Sequence, residues 1–210
     1  MIRSRLAVVL AVVAGAVMVG AGGAAVGAAQ EREPLTVPLA DIVAAWPTGF
    51  EVEGMKSEPL YTEHIRIERD HDDLRLRIEV VGQGDEAFGT QESAVRLGDD
   101  GTVTWTSGCT KTANACAHDT ELRGFLSTAA VLALARADRL PPEGVVRDVH
   151  GTDAVCVDDE ALHPDSPAPI VRLDPCFDLS TGAVLAHWSP DSAAFVGATL
   201  APGFTVSSRP

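Results

Sequence analysis

Apolar and polar residues alternate with a period of two through much of the chain. Residues 61–80 follow this pattern around a polar turn at 70–72, which is typical of a β-hairpin with one apolar face and one polar face. The segments 93–97 and 102–106 repeat it on either side of Gly-Asp-Asp-Gly at 98–101, a strong turn sequence. We therefore predict an antiparallel sheet that buries one face and exposes the other.

The spacing becomes helical between residues 119 and 140, where apolar residues recur three or four positions apart. The apolar positions of this segment are Leu122, Phe125, Leu126, Ala129, Leu132 and Ala133. Pro141 and Pro142 end the helix. A shorter helix is predicted over 38–46, because Pro47 and Gly49 follow it. We expect the long helix to cover the apolar face of the sheet.

The β pattern resumes after Gly144. Runs at 145–149, 154–157 and 183–188 are predicted strands, and a short strand is expected within 194–200. With no internal repeat, the pattern predicts an α+β fold in which one long and one short helix cover an antiparallel sheet. Its length suits a single domain over residues 30–210.

The first 29 residues predict export. Arg3 and Arg5 precede an apolar run over 6–29, and the sequence then becomes abruptly polar at 30–34. A positive start, an apolar middle and small residues before a polar break are the parts of a secretory signal peptide. An uncleaved membrane anchor over the same residues is the alternative, since about 20 apolar residues can span a bilayer. In both cases the domain lies outside the cytoplasm, because the arginines stay inside.

Charge narrows the classes of partner. The chain has a net charge of −14, and beyond residue 29 its 14 basic residues face 30 acidic ones, a net charge of −16. Nucleic acid is excluded as a partner, because its recognition requires a basic surface. Simple attraction to anionic lipid head groups is disfavoured for the same reason. Acidic surfaces favour solubility, and we expect a monomer.

Four cysteines in an exported chain favour disulfides over free thiols. Three pairings can be drawn. We predict Cys109–Cys116, which would close a polar loop, and Cys156–Cys176, whose members lie in or beside β-like runs. A zinc site is the competing interpretation, but Cys-x6-Cys does not have the spacing of common zinc motifs.

The sequence contains no motif of nucleophilic, zinc-dependent or phosphate-binding catalysis. Acidic clusters at 70–73 and 158–160 could attract calcium, yet neither has the ligand spacing of a calcium loop. The six histidines are scattered. We therefore predict no catalytic residue, no metal ligand and no cofactor, and interpret the acidic clusters as solvated turns.

One segment resembles a known family. Cys156 is followed at a distance by Cys176-Phe177-Asp178, two further residues, Thr181-Gly182 and a run of aliphatic residues. This pattern resembles exported actinobacterial proteins similar to the lipoprotein-carrier superfamily, whose members include LolA-like and LppX-like proteins. The resemblance implies a curved half-barrel closed by helices, with an apolar cavity for acyl chains. It also implies that the two cysteines pair across neighbouring strands.

The resemblance implies a secreted or cell-envelope carrier for a lipid, a lipoprotein or another apolar ligand, without catalysis. If residues 6–29 remain attached, they would add membrane association. The expected wall of the cavity consists of apolar residues on the sheet and the long helix: Leu76, Ile78, Trp105, Phe125 and Leu126.

Two alternatives remain open at the level of sequence. The same sheet and helix can close around a filled core, in which case the protein would act through its surface as a cell-envelope interaction or sensor module. A secreted protease inhibitor is the third hypothesis, with Lys111 presented by the loop between Cys109 and Cys116.

Overall fold

A computed structural model describes residues 35–57, 59–82, 87–110, 120–163, 172–196 and 204–209. All of them belong to one compact unit, Pro34–Pro210. The predicted signal segment, Lys111 and Cys116 lie outside the described residues. Within these ranges no helix has both the length and the apolar character needed to cross a membrane.

Strands dominate the described chain, and helices are few. The helices are α1 (Leu39–Ala45), α2 (Thr120–Arg136) and α3 (Asp159–Leu162). The strands are β1 (Thr36–Pro38), β2 (Gly49–Ser57), β3 (Tyr61–Asp70), β4 (Asp73–Gly82), β5 (Ala87–Leu97), β6 (Val103–Cys109), β7 (Glu143–Val149), β8 (Thr152–Cys156), β9 (Asp174–Asp178), β10 (Val184–Ser189), β11 (Ala194–Val196) and β12 (Thr205–Arg209).

The strands form two six-stranded sheets and not a closed barrel. Sheet A has the order β1-β7-β8-β9-β10-β11, and sheet B has the order β12-β2-β3-β4-β5-β6. Neighbouring strands pair antiparallel in both sheets. The predicted antiparallel, mostly β architecture is therefore confirmed in its coarse form. The half-barrel implied by the family resemblance stays a prediction.

Sheet B has an inner apolar face and an outer charged face, as the alternation predicts. Val52, Ile67 and Leu76 lie opposite one another on neighbouring strands and are buried. The adjacent row on the other face contains Glu68 and Arg75, which are paired across β3 and β4. One face therefore supplies core, and the other holds a set of solvated charges.

Helix α2 lies between the two sheets and contacts β4 and β5 of sheet B and β9 and β10 of sheet A. Phe125, Ala129 and Leu132 join one buried cluster with residues from both sheets. The predicted long helix is confirmed, and it ends at Arg136, before the proline pair. Its position sets which part of the inner face of sheet B is covered.

The predicted Thr-Gly hairpin joins β9 to β10. The carboxylate of Asp178 accepts hydrogen bonds from the backbone N–H groups of Ser180 and Thr181, at 2.8 and 2.7 Å. Gly182 has φ +82°, and a Cβ there would come within 2.5 Å of the Trp46 ring. Glycine is required at this position by the backbone conformation and by the indole packed against it.

The alternation did not reveal every strand. β2 has a clear apolar face at Phe50 and Val52, but Gly54 and Lys56 interrupt it. The predicted final strand is present as β11, and its predicted continuation over 197–200 lies outside the described residues. The polar strand β12 was missed, because pairing with β2 rather than apolar periodicity defines it.

Candidate functional site

The residues predicted to line a cavity occupy different surroundings. Leu76, Ile78 and Phe125 lie deep in the main core, and Leu126 is partly buried against it. Trp105 lies on β6 with 52% of its surface exposed. The first four residues are thus brought together by packing, and Trp105 lies apart from them at the edge of sheet B.

Where α2 meets both sheets, the described residues enclose a small cavity. A cavity of about 10 Å³ lies there, bordered by Phe50, Phe125 and Val184 among others. This volume is close to the minimum for one water molecule, whereas small-molecule sites measure about 300–1,000 Å³. Leu76, Ile78 and Phe125 belong to the buried core cluster, and the larger cavity implied by the family resemblance stays a prediction.

The inner face of sheet B becomes polar beyond this core. Lys56 forms an ion pair with the fully buried carboxylate of Glu121 at the start of α2. Gln91 and Ser93 are also buried there, and the Ser93 hydroxyl donates to Ser107 Oγ at 3.3 Å. Buried charged and hydroxyl groups make a poor lining for acyl chains, because polar groups in an apolar site need partners.

Strand β6 forms one edge of sheet B, and its hydrogen-bonding pattern determines which backbone N–H and C=O groups point away from the sheet. The N–H of Thr110 donates to the Thr90 carbonyl at 2.9 Å, and that of Gly98 donates to the Thr102 carbonyl at 2.8 Å. Antiparallel strands alternate between bonded and non-bonded pairs, so the even-numbered residues of β6 bond to β5. The odd-numbered residues direct their N–H and C=O groups to the free edge. These residues include Val103, Trp105 and Ser107.

No strand in the described part of the chain pairs with this edge of β6. All seven residues of β6 are exposed, and none is charged or proline. The other edge strands have features that prevent pairing with another chain. β1 and β11 have three residues each, β1 ends in Pro38, and the five-residue β12 ends in Arg209. Short edges, proline and charge discourage intermolecular pairing, and β6 lacks all three.

A groove of about 560 Å³ runs beside this edge on the outer face of sheet B. Its floor is low because Ala94 on β5 has only a methyl group and Gly108 on β6 has no side chain, and a Cβ at Gly108 would have open space around it. Three arginines from β3 and β4, the carboxylates of Glu68 and Glu92, and the polar residues Thr106 and Ser107 form much of its wall. The arginines are Arg66, Arg75 and Arg77.

The three arginines differ in their partners. Arg66 forms ion pairs with Glu51 and Glu68, and Arg77 lies 3.5 Å from Glu92. Among the described residues Arg75 has no ion pair as short as those of Arg66 and Arg77, but its charge adds to the Arg96 hydrogen bond in lowering the pKa of Asp73. Cross-strand pairing places Arg75, Ala94 and Thr106 in one row towards the free edge. The positive charge of Arg75 therefore faces the edge across Ala94 and Thr106, with Glu68 opposite it on β3.

The acidic clusters weighed for calcium lie largely in ion pairs with arginine. Asp73 binds Arg96 at 2.8 Å, and Asp72 pairs with Arg136. In the other cluster Asp158 binds Arg172 at 2.7 Å. Across the described ranges, no three His, Cys, Asp or Glu side chains are grouped so that they could hold a metal ion.

Asp159, at the start of α3, belongs to the acidic cluster at 158–160. It accepts a hydrogen bond from Arg123 at 2.8 Å and lies 3.5 Å from His163 Nδ1. Burial alone would raise the pKa of Asp159, but the hydrogen bond of His163 and the charge of Arg123 lower it overall. The same hydrogen bond raises the pKa of His163 above its ordinary value. The group therefore ties α2 to α3 with charges that stabilise one another.

The disulfide Cys156–Cys176 joins directly opposed residues of β8 and β9, and this predicted pairing is confirmed. Both cysteines are buried. Cys109 is also disulfide-bonded, and because Cys116 lies outside the described residues, the predicted Cys109–Cys116 pair stays a prediction. A disulfide is consistent with an oxidising, extracytoplasmic environment.

Sequence reasoning found the residues of β6 but not their role. It placed Trp105 on the apolar face of the sheet, in the wall of the expected cavity, and the strand register puts that side chain on the same face as the buried Val95. Two further features depend on the order of the strands in the sheet: the inner face is uncovered at β6, and Arg75 faces the same edge. The sequence of one strand does not predict that order. Compared with known proteins, the chain matches no family model, no curated protein and no solved structure.

Proposed function

We propose that this chain is an extracytoplasmic protein-interaction module that binds a partner at the edge of β6, with a filled core as its scaffold. The observation that carries the proposal is the uncharged seven-residue edge strand, exposed along its whole length, which presents Trp105 beside backbone groups that no described strand pairs with. Strand addition at such an edge is a recurring mode of peptide recognition. Tryptophan is also among the residues that most often dominate binding energy.

Secretion or residence in the cell envelope belongs to this proposal. It is supported by the predicted signal segment and by the buried disulfide, which forms in oxidising compartments. In this proposal the half-barrel implied by the family resemblance serves only as a scaffold, and its helix-covered face forms the core. No catalytic step is assigned.

The lipid-carrier hypothesis is retained as a second candidate because of the family resemblance. The cavity of about 10 Å³ where α2 meets both sheets is too small for an acyl chain, so the carrier requires a different or larger space. Mass spectrometry of an organic extract from natively purified protein tests it. A stoichiometric lipid would favour the carrier, and a clean extract would remove it.

Site-specific photo-crosslinking in the producing cells tests the interaction module. A photoreactive residue in place of Trp105 is expected to give a discrete crosslinked product with one protein. The matched control is the same residue in place of Asp191, which is exposed in the turn before β11. Equal products from the two positions, or none from either, would contradict the proposal.

A further inference from the structure

The edge of β6 and the arginine groove adjoin each other, and together they specify the segment that would bind. An added strand would receive its hydrogen bonds from the odd-numbered residues of β6. Its side chains would alternate between the two faces of sheet B. On the inner face they would meet Val103 and Trp105, which are 48% and 52% exposed. On the outer face they would meet the groove.

The inner face asks for apolar residues. Val103 and Trp105 continue the rows of Leu97 and Val95, which are buried beneath α2. An aliphatic or aromatic side chain opposite Trp105 would extend this apolar surface by one strand. Aromatic–aliphatic and aromatic–aromatic cross-strand pairs stabilise sheets by about 0.2–1 kcal/mol each.

The outer face asks for a carboxylate. Arg75 lies three strand spacings from the position of the added strand, a distance of about 14 Å. Ala94 and Thr106 lie between them, and their short side chains do not block the space over the sheet surface. Only long side chains extended towards each other from both ends bridge this span, so glutamate suits the position better than aspartate. A charge-assisted arginine–carboxylate contact is among the stronger hydrogen bonds.

We infer that, as the partner side of the proposed function, the β6 edge binds an extended peptide segment in which apolar residues alternate with polar ones including a glutamate that pairs with Arg75. A second copy of this chain fits less well. The sequence of β6, Val-Thr-Trp-Thr-Ser-Gly-Cys, offers no carboxylate to Arg75. Two copies would also bring together two chains that each carry a net charge of −16 beyond residue 29.

Selection from a random nine-residue peptide library, displayed on phage and screened against the oxidised chain, tests this inference. The enriched peptides are expected to alternate apolar residues with polar positions that include glutamate. Ser107→Pro removes one outward N–H and no backbone bond to β5, although it also removes the hydroxyl that accepts from Ser93, and it is expected to weaken binding at least tenfold. Trp105→Lys keeps every backbone bond and places a charge on the edge, and it is expected to have an effect of similar size if Ser107→Pro does not fold.

Charge reversal isolates the groove. Arg75→Glu is expected to weaken the selected peptides about fivefold or more, and changing their glutamate to lysine is expected to restore binding. Arg139→Glu is the matched control, because it changes the net charge equally outside the groove and is expected to leave binding unchanged.

Three results would overturn the inference: no enrichment above the Ser107→Pro background, enriched peptides that bind Trp105→Lys normally, or self-association of the chain that Ser107→Pro abolishes. The proposed function would survive the first two if the crosslink at position 105 still formed. Loss of that crosslink together with an empty selection would remove both.

Discussion

Two adjacent stretches of one sheet face have opposite environments. Val95 on β5 is 1% exposed, whereas Trp105, directly opposite it on β6, is 52% exposed. Both follow the same alternation and point to the same side. The difference is α2, which contacts β5 and covers that strand. Periodicity therefore determines which side a residue points to, and the length and position of the covering element determine whether it is buried.

The largest expected effect tests the covered side. Phe125→Ala removes a buried ring from the contact between α2 and the two sheets. We expect the free energy of unfolding to fall by about 3–5 kcal/mol, because the loss of the ring leaves a cavity that cannot fully collapse. Chemical denaturation monitored by circular dichroism measures it.

Val103→Ala is the control on the uncovered side, where we expect a change of less than about 1 kcal/mol. Equal losses for Phe125→Ala and Val103→Ala would contradict the contrast between the two stretches.

The second effect extends the comparison to sheet A, in which β9 is buried along its whole length. Replacing both Cys156 and Cys176 with alanine removes a crosslink between residues 20 apart. Chain-entropy estimates put the loss at about 3 kcal/mol. Denaturation of the double variant beside the reduced wild-type protein measures it, and similar stability of variant and oxidised wild type would show that packing alone holds β8 to β9.

A smaller effect is expected at the edge itself. Trp105→Ala is expected to lower the free energy of unfolding by about 1 kcal/mol, the span of strand propensities, because half of the side chain is already in solvent. Binding to the crosslinked partner should fall much more. A loss of stability as large as that of Phe125→Ala would mean that Trp105 is a core residue, and the edge would lose its proposed role.

The smallest effect concerns pH at the junction of α2 and α3. His163→Gln is expected to cost less than about 1 kcal/mol, because the His163 side chain is 40% exposed. Since its folded pKa is raised, the contribution of His163 is complete below its ordinary value of 6.5 and is lost as pH rises through the raised value.

Thermal melts of His163→Gln and wild type should therefore differ most near pH 6 and converge at alkaline pH. Asp159 remains charged across this range because its pKa is lowered. A difference that is constant with pH would indicate a packing role for His163.

Much of the fold could be predicted because its signals are local. The hairpin of β3 and β4, the helix α2 and the Cys156–Cys176 pair each follow from a short stretch of sequence. β2 and β12 were missed because Gly54 and Lys56 interrupt one and Ser207 and Ser208 dominate the other. The candidate site was missed for a different reason. Whether a strand lies at the edge of a sheet depends on the order of all the strands, and the alignment of Arg75 with this edge depends on the register of β4, β5 and β6.

The pairing of β12 with β2 also orders events in time. Thr205 lies opposite Glu53, a separation of 152 residues, and this contact completes one side of sheet B. A chain that emerges from its amino end exposes the bonding edge of β2 until residues 205–209 follow. During that interval both β2 and β6 are edge strands of sheet B, and the residues that will pair with β2 have not yet been synthesised. Folding during synthesis therefore passes through a period in which the exposed edge of β2 can pair with other strands, and a truncation before residue 205 would make that period permanent.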